Sequence, residues 1–376
     1  MEWTYSQPVK LIFGTGKVES LDKIFAGFGL KNGLLVSDPV FVKNGLASKV
    51  SDYSRGALIE VFSDITPNPT VTNVDDCARL IREKNIEFVA ALGGGSSLDC
   101  AKAACSVCRT PYSVVEFHSG KRKFEKDFIP LIAIPTTSGT GSEVTPVAVL
   151  SDPERGVKAP LVSDNFFPMC AIIDAALTLT VPSAITASTG MDVLSHALEG
   201  FWSKNHQPIC DAMALHSARL VFEYLLPAYL DAGNLEAREK MSEASVMAGL
   251  AFGLPKTAGS HACSFPLTSV YHIPHGEACA FTLDAFTRIN AEAENGRLHG
   301  FARMLGFTDA YGMADSILEM KRAMNMKITL ADAGIPEEKL EELARLSQHP
   351  NMLNNPVAMD LESILKMYRS LKEKSR

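Results

Sequence analysis

The chain has 376 residues, of which 46% are hydrophobic, and its formal net charge is −7. This length allows two domains with separate hydrophobic cores, and the acidic balance argues against a nucleic-acid partner, which normally requires a basic surface. No apolar run approaches the roughly 20 residues that span a bilayer, and Met1 to Lys10 lacks the pattern of a signal peptide. We therefore expect a cytoplasmic protein with no membrane partner.

Eight cysteines are scattered along the chain. A secreted disulfide framework is not expected in a protein with so large a core. Cys105 and Cys108 form one CxxC pair, but they lie inside a predicted helix rather than where a strand meets a helix. We therefore expect reduced, packed thiols here rather than a redox motif.

Short apolar runs alternate with helical stretches up to about residue 180. The runs predicted to be strands are residues 34–36, 58–62, 88–92 and 131–134. Continuous apolar strands separated by helices are typical of a parallel sheet that is covered on both faces. The pattern predicts a doubly wound α/β nucleotide-binding domain over residues 1–180, with ligands at the carboxyl ends of its strands.

The second half has a different pattern, because no strand is predicted beyond residue 180. The predicted helices are residues 184–202, 210–232, 237–252, 276–291, 337–346 and 361–374. We therefore predict an all-α domain over residues 181–376.

Two loops rich in small residues follow predicted strands. The first, Gly93 to Ser97, opens a helix, where free N–H groups and three glycines let the backbone approach a pyrophosphate. The alternative is a tight strand-to-helix turn, because the loop lacks the GxGxxG pattern. The second, Thr136 to Glu143, offers hydroxyl and N–H groups to a nucleotide, and its alternative is a flexible surface loop.

Asp38 ends the first predicted strand. A carboxylate at this position can accept hydrogen bonds from the adenosine ribose and would repel a 2′-phosphate, which favours NAD over NADP. The alternative is a simple turn aspartate before Pro39.

Four residues of the second half suggest a metal site. Asp192 and His196 lie four apart in a predicted helix and so face the same way. His261 is expected near the end of an apolar helix and its connecting turn, and His275 just before the next helix. One carboxylate and three imidazoles suit Fe²⁺ or Zn²⁺ rather than Ca²⁺ or Mg²⁺, and the ligand types do not choose between iron and zinc.

The order of these motifs resembles the iron-containing (group III) alcohol dehydrogenase family over nearly the whole chain. The resemblance is carried by FGTG at 13–16, PNPT at 67–70, GGGSSLDCAK at 93–102, IPTTSGTGSEVT at 134–145, GMD with HALE within 190–199, and PHG at 274–276. It implies a dehydroquinate synthase-like fold, with an N-terminal nucleotide domain, a C-terminal helical domain and a metal in the cleft between them. The implied activity is that of an NAD(H)-dependent alcohol dehydrogenase or aldehyde reductase, an oxidoreductase that forms a homodimer or larger homo-oligomer.

The resemblance also implies particular contacts. The expected metal ligands are Asp192, His196, His261 and His275, holding Fe²⁺, with Zn²⁺ as the alternative. The expected cofactor contacts are Asp38, Gly94, Gly95, Ser96, Asp99, Thr136, Thr137, Ser142, Thr145 and Lys158. No general acid is assigned beyond the metal site, because Phe265 stands where many relatives have a histidine near the nicotinamide, and a phenyl ring carries no proton. His272 is the nearest candidate to replace it.

The segment from Ser195 to Asn205 looks like a branch that includes phosphonoacetaldehyde and sulfoacetaldehyde reductases. Lys204, Asn205 and Lys256 would then hold the anionic group of a small aldehyde, whereas the alternative for Lys204 is a solvated cation at a helix end. The alternative functions are a general short-chain alcohol or diol dehydrogenase, an NAD- and zinc-dependent lyase of the dehydroquinate synthase type, and a non-catalytic nucleotide-binding protein.

Overall fold

The computed structural model describes residues 2–372, and this part of the chain divides into two compact units. The first comprises Ser6–Thr137 and Gly141–Leu179, and we refer to it as the α/β unit. The second comprises the remaining described residues, 2–5, 138–140 and 180–372, and we refer to it as the helical unit. None of the helices in the described residues is both long and apolar enough to span a bilayer.

The α/β unit contains a six-stranded parallel sheet, which confirms the predicted fold class. In chain order the strands are β1 (Lys10–Phe13), β2 (Gly33–Ser37), β3 (Leu58–Phe62), β4 (Phe88–Gly93), β5 (Leu131–Pro135), β6 (Val147–Asp152), β7 (Val157–Val162) and β8 (Cys170–Ile173). The order across the sheet is β1-β8-β5-β4-β2-β3, with every neighbouring pair parallel. Strands β6 and β7 form a separate antiparallel pair.

The central strands β2, β4 and β5 are buried along their whole length, as their continuous apolar sequences require when both faces of a sheet are covered. The helices of this unit are α1 (Leu21–Phe28), α2 (Pro39–Lys43), α3 (Leu46–Tyr53), α4 (Val71–Glu83), α5 (Gly95–Val107) and α6 (Val114–His118). Helix α1 buries Leu21 and Phe25, and the ring of Phe25 meets that of Phe88 edge-on at 4.9 Å between centroids.

The strand order reverses between β2 and β4. The chain continues from β2 to its outer neighbour β3, and from β4 to β5 on the opposite side. In open α/β sheets the crevice at such a reversal, beyond the carboxyl ends of the strands, is where ligands bind. Asp38 and Gly94 follow the two strands that meet there.

The helical unit confirms the predicted all-α second half, because no strand occurs in residues 180–372. Its helices are α7 (Ser183–Trp202), α8 (Pro208–Leu230), α9 (Leu235–Phe252), α10 (Gly259–Ser269), α11 (His275–Ile289), α12 (Ala293–Met304), α13 (Ala310–Ala323), α14 (Leu340–Leu346) and α15 (Leu361–Ser370). Helices α10, α12 and α13 were not predicted. The last helix ends at Ser370, whereas its predicted end at residue 374 lies outside the described residues.

Helix α7 is the centre of the helical core. Every residue from Gly190 to Trp202 is buried, as expected for a helix that neighbouring helices surround. Close approach depends on small residues at two places. A Cβ on Gly190 would lie 2.1 Å from a methyl carbon of Leu225 on α8, and a Cβ on Gly276 would lie 2.0 Å from the carbonyl oxygen of Ser188. Glycine at residue 276 therefore lets α11 lie directly against α7.

Candidate functional site

One face of α7 carries three ionisable side chains. Asp192, His196 and Glu199 lie at positions i, i+4 and i+7 of the helix and are 3%, 5% and 0% exposed. Charged and imidazole groups that are buried this deeply need partners. The partners come from α10 and α11, which contact α7.

The structure brings three of the four predicted metal ligands together with one cysteine. One ligand atom each from Asp192, His261, His275 and Cys279 lies within 4.8 Å of the others. The fourth predicted ligand, His196, lies beside this group. Its Nδ1 is 3.9 Å from Oδ1 of Asp192, and its ring centroid is 4.6 Å from that of His261.

His261 does not lie near the end of the preceding helix, as the sequence suggested. Helix α9 ends at Phe252, and His261 is the third residue of a new helix, α10. The carboxylate of Glu199 explains this start, because it accepts hydrogen bonds from the N–H groups of Ala258 and Ser260. Helix N-termini have unsatisfied N–H groups, and a buried carboxylate satisfies them.

Glu199 also orients the ring of His261. Its Oε2 lies 2.5 Å from Nδ1 of His261, so this nitrogen carries a proton, and Nε2 is the ring nitrogen that faces Asp192, 3.5 Å from its Oδ1. Ser264 does the same for His275. Its hydroxyl donates to the carbonyl of His261 and lies 3.4 Å from Nδ1 of His275. Carboxylate and hydroxyl partners of this kind fix the ring and tautomer of metal-binding histidines.

The protonation states of Asp192 and His196 also suit a cation. Burial raises the pKa of Asp192, but the neighbouring rings of His196 and His261 outweigh this effect and hold the pKa well below its usual value. Burial lowers the pKa of His196 to about 4, so its imidazole is neutral at physiological pH. Metals bind ionised carboxylates and neutral imidazoles. At His261 burial lowers the pKa, but the neighbouring Cys279 and Glu199 outweigh this effect and raise it well above its usual value, so a proton must leave this ring when a metal binds.

Three atoms facing this cluster test whether its residues fit a metal. Oδ1 of Asp192, Nδ1 of His196 and Nε2 of His261 are buried and make no hydrogen bond within the described residues. Buried polar atoms without partners are rare in native proteins and call for a specific explanation. A divalent cation would satisfy all three, so the donor set fits Fe²⁺ or Zn²⁺.

Sequence reasoning missed two residues of this site. Cys279 follows His275 by one helical turn, and Glu199 lies seven residues after Asp192 on α7. Both spacings place the side chains on the helix face of the predicted ligands, so helical spacing alone could have identified them.

The remaining candidates of the helical unit lie outside the cluster. His272 is exposed in the loop between α10 and α11, where its φ is 54°. Phe265 lies on α10, with its ring centroid 6.5 Å from that of His275 and 4.3 Å from that of His349. An aromatic pair therefore adjoins His275 where relatives are expected to have a histidine.

The predicted anion-binding residues lie on two neighbouring segments. Nζ of Lys204 donates to the carbonyl of Leu353 at 3.1 Å, and the side chain of Asn205 contacts that of Asn354. Lys256 lies on the loop before α10, with φ of 66°. It is exposed, and its side chain has no hydrogen-bond partner within the described residues. The two segments are joined by the hydroxyl of Ser203, which donates to the carbonyl of Pro255.

In the α/β unit, the predicted nucleotide residues converge at the reversal of the strand order. The N–H of Gly94 donates to Oδ2 of Asp38 at 3.2 Å. A Cβ on Gly93 would lie 2.4 Å from the same carboxylate oxygen, so only glycine allows this approach. Gly94 caps α5, and Gly95 and Ser96 form its first turn. This arrangement presents free N–H groups to an anion.

Three more predicted residues adjoin this turn. Thr136 donates its N–H to the carbonyl of Gly93, and the side chain of Thr137 lies next to Gly94. Lys158 reaches the same region through Asn68, which accepts a hydrogen bond from Nζ at 2.7 Å and donates its own N–H to the hydroxyl of Ser96.

Asp99, Ser142 and Thr145 instead hold the loop together from within. The carboxylate of Asp99 accepts hydrogen bonds from the hydroxyl of Ser142 and the N–H of Val149. The buried ammonium group of Lys102 donates to the carbonyl of Thr145 at 2.9 Å. These hydrogen bonds connect α5 with the loop that follows β5, and the cofactor contacts expected of the three residues stay predictions.

Comparison with known proteins gives a consistent assignment. The family model for iron-containing alcohol dehydrogenase matches residues 8–175, and the model for the C-terminal part of the Fe-containing alcohol dehydrogenase family matches residues 186–372. The crystal structure of sulfoacetaldehyde reductase from Bifidobacterium kashiwanohense in complex with NAD⁺ is 52% identical, covers 100% of both chains and has a TM-score of 0.97. A 1,3-propanediol dehydrogenase from Klebsiella pneumoniae is 32% identical over 378 residues, which is 97% of each chain. Alcohol dehydrogenase 4 of Saccharomyces cerevisiae (strain YJM789) is 31% identical over 376 residues, which is 98% of each chain. The chain belongs to the iron-containing alcohol dehydrogenase family.

Proposed function

We propose that this chain is a metal-dependent aldehyde reductase that transfers hydride from NADH to sulfoacetaldehyde. The reaction consumes one NADH and one proton per aldehyde and yields the alcohol and NAD⁺. The observation that carries the proposal is the buried cluster on α7, α10 and α11, whose Asp192, His196 and His261 each have an unpartnered polar atom. The identity of 52% with a sulfoacetaldehyde reductase over the full chain supports the substrate.

We propose that the α/β unit binds NAD(H) at the reversal of its strand order. The first turn of α5 would bind the pyrophosphate through its N–H groups. Asp38, whose Oδ2 accepts the N–H of Gly94, would accept hydrogen bonds from the ribose hydroxyls and repel a 2′-phosphate. Thr136, Thr137 and Lys158 adjoin the same turn and would contact the rest of the cofactor.

In the helical unit, Asp192, His196, His261 and His275 would hold Fe²⁺ or Zn²⁺. When bound, the metal supplies Lewis-acid polarisation of the substrate carbonyl. Glu199 and Ser264 contact Nδ1 of His261 and His275, which would leave Nε2 of each ring to bind the metal. Phe265 excludes a side-chain proton donor from its place on α10, so we propose that solvent supplies the proton that completes the alcohol.

Lys256 is the best candidate for binding the sulfonate. It lies five residues before His261 in the chain and has no side-chain hydrogen bond within the described residues. Lys204, by contrast, already donates to a backbone carbonyl. A cation without a fixed partner can bind an anionic group without giving up an existing hydrogen bond.

The first experiment loads the chain with Fe²⁺ or Zn²⁺ and follows NADH consumption with sulfoacetaldehyde, phosphonoacetaldehyde, acetaldehyde, glycolaldehyde and succinic semialdehyde. The proposal predicts metal-dependent turnover with the highest kcat/KM for sulfoacetaldehyde. A second candidate function is a general short-chain alcohol or diol dehydrogenase, because 1,3-propanediol dehydrogenase is 32% identical over 97% of the chain. Equal or better turnover of uncharged aldehydes would favour that function. Metal-dependent chemistry without net NADH consumption would favour the lyase.

A pair of histidine variants tests the metal assignment. We expect His275→Ala to lose both metal and turnover while it retains its helical circular dichroism. His216→Ala is the control, because His216 lies on the exposed face of α8 and pairs only with Glu243 within the described residues. A fully active His275→Ala enzyme would exclude the metal assignment.

Lys256→Met tests the sulfonate contact. A hydrogen bond to a charged group contributes about 1.5–3 kcal/mol, so KM for sulfoacetaldehyde should rise by about 10- to 150-fold. KM for acetaldehyde, which has no anionic group, should not change. An equal rise for both substrates would mean that Lys256 shapes the loop and does not contact the sulfonate.

The cytoplasmic location and the homo-oligomeric state stay predictions. Size-exclusion chromatography with light scattering tests the oligomeric state.

A further inference from the structure

We propose that Cys279 is a ligand of the same metal ion, so that a sulfur atom joins the carboxylate and imidazole donors. This inference rests on the metal assignment of the proposed function. It adds a residue type that the predicted set of one aspartate and three histidines does not contain.

The position of the sulfur carries the inference. Sγ of Cys279 lies 3.9 Å from Nε2 of His275, on the same helix and one turn later. Within the described residues, Asp192, His261, His275 and Cys279 form the one group whose ligand atoms all lie within 4.8 Å of each other. With metal–sulfur bonds of about 2.3 Å and metal–nitrogen bonds of about 2.0 Å, one ion can bind both atoms only if they lie within about 4.3 Å of each other. The observed separation meets this limit.

Its surroundings separate Cys279 from the other cysteines. All eight cysteines are buried, so burial alone distinguishes none of them. Cys279 is fully buried, and its Sγ lies 3.9 Å from Nε2 of His275 and within 4.8 Å of a ring nitrogen of His261. No other cysteine of residues 2–372 belongs to a group of potential metal ligands.

Binding requires a simple exchange without oxidation or reduction. The S–H bond of Cys279 breaks, its proton leaves to solvent, and a sulfur electron pair forms the bond to the metal. A thiolate ligand favours softer ions. We therefore expect the site to prefer Zn²⁺ over Fe²⁺ more strongly than the same site does with serine at residue 279.

The test uses Co²⁺ as a spectroscopic probe in the full chain after removal of bound metal. Thiolate ligation gives Co²⁺ an intense sulfur-to-metal charge-transfer absorption, which oxygen and nitrogen ligands do not give. We expect this absorption in the wild-type chain, saturating at one Co²⁺ per chain. Cys279→Ser should lose it while retaining helical circular dichroism, and Cys263→Ser should keep it. Cys263 is the matched control because it is a fully buried cysteine of α10 in the same unit.

Zinc affinity gives a second measurement. Loss of an outer hydrogen-bond partner alone reduces metal affinity by about 10- to 100-fold, so loss of a direct ligand should reduce it by at least as much. Competition with a chromophoric chelator measures this loss in Cys279→Ser against Cys263→Ser.

The outcomes separate this inference from the proposed function. Stoichiometric Co²⁺ binding without the sulfur absorption in the wild-type chain would overturn the role of Cys279 and leave the metal assignment standing. A sulfur absorption that persists in Cys279→Ser would also overturn it, because another thiol would then be the ligand. Failure of the wild-type chain to bind Co²⁺ or Zn²⁺ would overturn both the inference and the metal assignment.

Discussion

Substitution of Gly276 by alanine should separate the two helices that carry most of the candidate metal site. A Cβ at this residue would lie 2.0 Å from the carbonyl oxygen of Ser188 and 3.0 Å from Cβ of Asp192. Close carbon–oxygen contacts in proteins lie at about 3.3–3.6 Å, so the gap must open by more than about 1 Å. Both contacts involve helix backbone or the first side-chain atom, which cannot rotate away. The helices α7 and α11 must therefore move apart.

This displacement has two measurable consequences. Overpacking of a well-packed core lowers the free energy of unfolding by about 1–3 kcal/mol and occasionally more. Because the contact at Gly276 is rigid, we expect a loss at the upper end of this range, about 3 kcal/mol. His275 and Asp192 would also separate by a large fraction of a metal–ligand bond, which is about 2 Å long. We expect Zn²⁺ affinity to fall by at least ~10-fold, as it does when an outer partner of a metal ligand is lost.

Gly300→Ala is the matched control, because the same substitution should there raise the free energy of unfolding instead of lowering it. Gly300 lies in α12, and a Cβ there would meet no atom within 4 Å. Alanine in place of a helical glycine stabilises by about 0.5–1 kcal/mol. Urea denaturation followed by circular dichroism measures both variants, and Zn²⁺ competition with a chelator measures affinity. A Gly276→Ala chain as stable as Gly300→Ala, with unchanged Zn²⁺ affinity, would refute the argument from close packing.

Three further predictions concern buried charges. Asp284 and Lys321 form an ion pair whose side chains are 2% and 0% exposed. Asp284→Asn should lower the free energy of unfolding by about 3–5 kcal/mol, because it leaves the buried ammonium group of Lys321 without a counter-charge. Urea denaturation should show a smaller loss for the double variant with Asp284→Leu and Lys321→Met, and an equal or larger loss would contradict this explanation. Burial raises the pKa of Glu143 from 4.5 to about 7. Between these pH values the folded state holds a proton that the unfolded state has lost. The free energy of unfolding therefore falls by about 3 kcal/mol as pH rises from 4.5 to 7. Urea denaturation at pH 5 and pH 8 should show this fall reduced in Glu143→Gln, and an identical pH dependence in both proteins would exclude this origin. Glu199→Gln should reduce Zn²⁺ affinity by about 10- to 100-fold, because the ring of His261 loses its charged partner; unchanged affinity in the chelator assay would mean that Glu199 serves only to cap α10.

The α/β fold could be predicted where a strand is buried on both faces and its sequence is therefore continuously apolar. Strands β2, β4 and β5 are buried on both faces and read as continuous apolar runs. Strand β1 was missed because it is a short edge strand whose four residues are exposed or half-exposed. Strand β8 is fully buried but has only four residues, too short a run to stand out. Strand β6 was missed although its residues alternate in burial. Strand β7, its partner, was missed because Pro160 interrupts its apolar run.

Periodicity along a single helix predicts which side chains share a face, and it succeeded for Asp192 and His196. It says nothing about which faces meet, because that depends on contacts between residues far apart in the chain. Glu199 shows the limit most clearly. Its place on the face of Asp192 follows from helical spacing, but its partners are N–H groups of α10, about sixty residues later. The start of α10 depends on that carboxylate, so sequence pattern alone assigned His261 to the end of the preceding helix. The approach of α11 likewise depends on the absence of a side chain at Gly276. The residues most readily recognised are therefore the predicted ligands, whereas a buried carboxylate and a missing Cβ decide whether they come together.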